Sequence, residues 1–207
     1  IPTRLLLLHP VQFLTRPVPM KHTTHLQDSV FKFEDTAIVL IQTDYLNYQF
    51  IYALNQAYRL GMERVDDIEI AGTTHPCFLA FNELARLTYV VLDIPVAPYN
   101  LMFLIRGRDA WEFQETFYRN FSEGVPEPDP TDIRDHQDWE LLNELKSNLF
   151  SVDTFCFSPT RGQSSSLVFS TNPTVLRARQ TFLHRLRQFA GEVFETLEWH
   201  LCEDNDL

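Results

Sequence analysis

Short runs of β-branched and aliphatic residues alternate with segments whose apolar residues recur at helical spacing. This alternation most constrains what the chain can fold into. Residues 36–42 (TAIVLIQ) have the composition of a buried central strand. In residues 45–60, Leu46, Phe50, Ala53, Leu54 and Ala57 fall on one helical side, and Gly61 ends the segment. Residues 67–72 (DIEIAG) read as a short strand. Residues 76–87 read as a helix with Phe78, Phe81, Leu84 and Ala85 on one side. Residues 88–94 (TYVVLDI) read as a further strand, and 98–121 as mostly helical with a break near Gly107. Upstream, residues 4–8, closed by His9-Pro10, form another strand candidate. Strand–helix alternation predicts an α/β fold: a mostly parallel sheet with helices on both faces, in three layers. The alternative is an all-helical domain in which the short apolar runs are buried helix turns.

Residues 122–138 (SEGVPEPDPTDIRDHQD) are acidic and rich in proline. They divide the chain into an α/β core at 1–124, a linker at 125–138 and a helical C-terminal extension at 139–207. Within the extension, 139–149 reads as a helix. Residues 152–157 and 167–169 read as a hairpin around a polar loop. A long helix starts at Asn172-Pro173 and runs to about residue 200. Its Leu176, Leu183, Leu186, Ala190, Val193, Leu197 and Leu201 make a seam at spacings of seven, three and four. That seam either packs on the chain's own sheet or, through residues 173–201, joins a homodimer or a partner helix. The charges motivate the second reading: arginines fill the first half and acids the second, against the order the helix dipole prefers.

The net charge is −11. This argues against a general nucleic-acid binder and against an anionic membrane surface as partner. Three widely spaced cysteines, with no CxxC pair, exclude zinc-knuckle and thioredoxin-type sites and suit a reducing, cytoplasmic compartment. No apolar run is long enough to span a bilayer. Only 6 glycines occur, with neither GxGxxG nor GxxxxGK[ST], so no nucleotide cofactor is expected; no metal is expected either. No Gly-x-Ser-x-Gly elbow is present.

The stretch 61–97 is the most suggestive of chemistry. Read as strand, tight loop, cysteine, helix and strand, it puts Cys77 at a helix N-terminus just past the carboxyl end of a strand. Backbone N–H groups and the helix dipole there favour a thiolate, and the same groups stabilise an oxyanion. A lone cysteine is also often a small buried hydrophobe, and Lys32 in "SVFKF" also reads as a surface lysine on an edge strand. His75-Pro76 also reads as no more than the loop that starts the helix.

The order I-A-G-x-x-x-x-C, helix, apolar strand resembles the isochorismatase-like cysteine hydrolases, and Thr74-His75-Pro76-Cys77 is similar to the Thr-His-x-Cys of one branch of them. The resemblance implies a doubly wound α/β fold and hydrolysis of a small amide, ester or ether substrate. In it Cys77 is the nucleophile, Lys32 holds developing negative charge, and His9, Thr74 and His75 line the substrate. His9 stands where the family has an aspartate base, so the resemblance covers an inactive member as well as an active one. The rival reading is a non-enzymatic protein-interaction domain. A third comes from "AIVLIQTDYLNYQFIYALNQAYRLG" with "TYVVLDIPVAPYNLMFL", which resembles the outline of a glycogenin-type GT-A glycosyltransferase. Its metal-holding Asp-x-Asp falls at Asp93-Ile94-Pro95 and lacks the second carboxylate.

Overall fold

A computed structural model describes residues 35–129, 133–158, 161–166 and 173–203. It contains a 7-stranded sheet in the order β2-β3-β4-β5-β1-β6-β7. The strands are β1 (Thr36–Thr43), β2 (Glu63–Ile70), β3 (Thr73–Asn82), β4 (Leu87–Val96), β5 (Tyr99–Arg106), β6 (Leu149–Ser158) and β7 (Gly162–Ser165). Among the described residues four helices accompany them: α1 (Asn47–Tyr58) after β1, α2 (Ala110–Ser122) and α3 (Ile133–Ser147) between β5 and β6, and α4 (Pro173–Glu203) after β7.

Every pairing in the sheet is antiparallel. This corrects the expected mostly parallel, doubly wound sheet, and with it the isochorismatase-like architecture. The reason lies in the connections. Strands β2 to β5 follow one another as hairpins, and a parallel neighbour would need a crossover of a dozen or more residues. The segment expected as a helix over 76–87 is instead β3, a turn and the start of β4. Two residues of its supposed apolar face, Phe81 and Leu84, are 60 % and 99 % exposed, so no core stripe exists there. The Asn82 side chain accepts the Ala85 N–H at 3.0 Å and shapes the turn. Likewise the first part of 98–121 is β5, with the helix beginning only past the break at Gly107. Within the expected helical extension, β6 pairs with the central β1 and β7 with β6. The strand expected at 4–8 and the hairpin partner at 167–169 lie outside the described residues.

Helices do cover both faces. The first core layer joins Ala37, Val39 and Ile41 of β1 to Phe50, Ile51 and Leu54 of α1, Phe117 of α2 and Leu145 of α3. The second joins Ile38 and Leu40 to Leu183, Leu186, Ala190, Val193 and Leu197 of α4. Period-two alternation along β1 therefore feeds two hydrophobic layers, which is why its whole run is apolar. From Leu183 to Leu197 the seam of α4 thus faces the chain's own sheet; the Leu201 side chain lies outside the described residues. Leu176 is half-exposed at the start of the helix, beyond that packing.

Candidate functional site

Cys77 lies inside β3, paired with Leu92 of β4 on one side and Val65 of β2 on the other. It is 0 % exposed and packs in the α4-side layer. This corrects the expected placement at a helix N-terminus: no helix dipole points at the thiol. Burial pushes the Cys77 thiol up to about 12; Arg64 opposes the shift and Asp67 adds to it. The group is therefore a protonated thiol at neutral pH, the form that is not nucleophilic. Arg64 is engaged elsewhere: it donates to the carbonyl of Cys77 at 3.1 Å, pairs with Asp67 and lies over the Phe78 ring.

His75 is buried two residues before Cys77. Its Nδ1 lies 2.9 Å from the Asp93 carbonyl, which only accepts, so Nδ1–H donates. Its ring meets Phe189 of α4 edge-on at 5.6 Å. Thr74 is exposed, on the opposite face of β3 from its neighbour His75. His9 and Lys32 lie outside the described residues. Of the five expected site residues, the structure therefore places three on one strand and turns two of them into the core.

Asp93, the single carboxylate of the glycosyltransferase-like reading, accepts from the Asn47 side chain at 3.1 Å at the start of α1. Burial raises its pKa, while Asn47, His75 and Arg64 lower it. Among the described residues no group of three His, Cys, Asp or Glu side chains could hold a metal. None of the described helices is long and apolar enough to cross a membrane.

Two polar constellations escaped the sequence reading. In the first, Tyr99 of β5 donates its hydroxyl to Asp153 of β6, and Ser166 donates to the other carboxylate oxygen at 3.4 Å. The signal was a carboxylate within the apolar run 152–157, on the same side of the strand as the buried Phe155.

The second constellation ties the end of β1 to its neighbours. The Thr43 N–H donates to the Asn100 side chain at 3.0 Å, and that side chain donates back to the Thr43 carbonyl at 2.9 Å. The Thr43 hydroxyl donates to the Asn148 carbonyl at 2.6 Å and accepts the Tyr45 N–H at 3.1 Å. Asn148 in turn donates to the Tyr45 hydroxyl at 2.9 Å. These bonds fix the entry into α1, with the Gln49 side chain accepting the Leu46 N–H at 3.0 Å.

On this braced platform three large side chains point into solvent: Leu46 at 57 %, Tyr48 at 59 % and Tyr52 at 69 % exposure. Tyr48 and Tyr52 are four apart, hence neighbours on one helical face. Phe150, two residues past Asn148, is also exposed. Leu46, expected on the helical side of Phe50 and Leu54, is instead exposed just before α1; Tyr48 and Tyr52, off that side, are the readable signal of an outer apolar ridge. Further along α1, a cleft of about 450 Å³ opens toward α3, lined by Asn55, Gln56, Gly61, Gln137 and Leu141. The Arg59–Asp138 ion pair, at 2.7 Å, crosses it.

Comparison with known proteins finds no matching family model, no matching curated protein and no matching solved structure.

Proposed function

We propose that this domain acts by binding a partner protein through the outer face of α1. The observation that carries this reading is the pair Tyr48 and Tyr52 on one helical face, with Leu46 exposed at the residue before the helix. Both tyrosines stand more than half exposed on a helix whose entry is braced by five hydrogen bonds. Tyrosine offers a large, stiff contact area with little side-chain entropy to lose, and aromatic anchors dominate protein interfaces. A pre-ordered platform lowers the ordering cost of association. Supporting the same reading, Cys77 and His75 sit in the core with their polar atoms shielded or engaged.

The test is a Tyr48→Ser/Tyr52→Ser double variant. Both side chains are exposed, so the melting temperature should stay within about 2 °C of wild type, as surface changes away from special features cost at most ~0.5 kcal/mol. Retention of partner protein by the immobilised domain should be lost. Undiminished retention by the folded double variant would refute the assignment of the surface.

A further inference from the structure

From residue 154 to residue 191 the chain carries five arginines and no aspartate or glutamate, while the remainder holds 12 lysines and arginines against 28 acids. Four of those arginines, Arg177, Arg179, Arg185 and Arg187, lie in the first half of α4. The helix buries Leu183, Leu186 and Ala190 against the sheet. At 3.6 residues per turn, Arg177, Thr181, His184 and Gln188 line the opposite side, with Arg185 at its flank, and all five are exposed. The helix also extends outward before its first buried seam residue: Thr174, Leu176, Arg177, Ala178, Gln180 and Thr181 are exposed.

Among the described residues neither Arg177 nor Arg185 makes an ion pair. Arg187 adds its charge from the flank, stacked over the Phe157 ring at 5.5 Å. Arg177 and Arg185 thus form a cationic helical face without an acidic partner among the described residues.

We propose that this face docks an acidic segment of a partner protein. The occupant follows from charge complementarity in two steps. Arginine forks donate bidentately to carboxylates, which suits aspartate- or glutamate-rich chain. The rest of the molecule is strongly acidic, so an extended polyanion such as a nucleic acid would be repelled beyond the stripe, whereas a short acidic segment touches the stripe alone. The inference shares with the proposed function only the class of activity, binding. It concerns a different surface, so the two fail separately.

The experiment is a titration of fluorescein-labelled oligoglutamate with the full chain, followed by anisotropy, across a range of salt. Binding should be present at low salt and fall steeply as salt rises. Arg177→Ala/Arg185→Ala should weaken it about tenfold with no change in melting temperature, the sum of two exposed charge contacts. Arg161→Ala, whose side chain faces Glu112 and Trp111, should leave it unchanged, as should Tyr48→Ser/Tyr52→Ser. Equal affinity of wild type and the double arginine variant would overturn the proposal. Labelled oligothymidylate binding as tightly, with the same arginine dependence, would overturn it in favour of nucleic acid. Loss of oligoglutamate binding in the tyrosine variant alone would move the acidic site to α1 and refute its place on α4.

Discussion

The hydroxyl of Tyr99 donates to the carboxylate of Asp153, joining β5 to β6 across the central β1. Burial raises the Asp153 pKa above the ordinary carboxylate range; the bonds from Tyr99 and Ser166 pull it back only in part. The folded state therefore holds the proton more tightly than the unfolded chain does. Stability from this group is greatest below the ordinary carboxylate value and is lost as pH rises through the raised one. Removing the phenol should widen that window. We expect Tyr99→Phe to cost about 1–3 kcal/mol at neutral pH and less in mild acid, because the bond removed is to a charged acceptor. Urea unfolding at the two pH values checks it; an equal loss at both would separate Tyr99 from the ionisation of Asp153.

Gly107 has φ of +140°, and a Cβ there would lie 2.3 Å from the Arg86 carbonyl oxygen. Its N–H also donates to the Asp35 carbonyl at 3.0 Å, where β5 gives way to α2. Gly107→Ala should lower stability by about 3 kcal/mol through strain and displaced backbone. A thermal melt within a degree of wild type would contradict this backbone geometry.

Cys77 and Cys156 are both buried, and burial pushes each thiol up to about 12. Neither should be alkylated by iodoacetamide at neutral pH in the folded protein, and both should react once urea unfolds it. Peptide mapping by mass spectrometry reads the outcome. Rapid modification of Cys77 under native conditions would contradict its place in β3.

The α4 seam should behave as core. Val193→Ala should cost about 1–3 kcal/mol, the loss of two buried methyl groups plus the cavity left behind, whereas Leu176→Ala should cost well under 1 kcal/mol. The two melts are compared in dilute protein; equal small effects would show that Val193 does not pack on the sheet.

What the sequence disclosed was local. The apolar run at 36–42, the helix after it, the strand at 88–94, the break near Gly107 and the long terminal helix are all carried by neighbouring residues. Strand direction is not a local property. It follows from which strands pair, and the four-residue turn at 83–86 sits in FNELARL, whose Leu, Ala, Glu and Arg are good helix formers overridden by pairing on both sides. The helix expected over 76–87 replaced β3 and put Cys77 at a helix start; with the helix expected from 98, which replaced β5, it made the sheet parallel. The Tyr99–Asp153 bond joins residues 54 apart, and no spacing rule anticipates it. By contrast, Tyr48 and Tyr52 were readable as aromatics left off the buried face of α1.

The central claim, that the outer face of α1 contacts a partner, is most directly tested by site-specific photocrosslinking. A benzophenone amino acid replaces Tyr52 in one sample and Gln188, an exposed residue on α4, in another. Irradiation should give a discrete adduct from position 52 that excess wild-type domain competes away and the Tyr48→Ser/Tyr52→Ser variant does not. No adduct at position 52, or one that the tyrosine variant competes as well as wild type does, would contradict the claim.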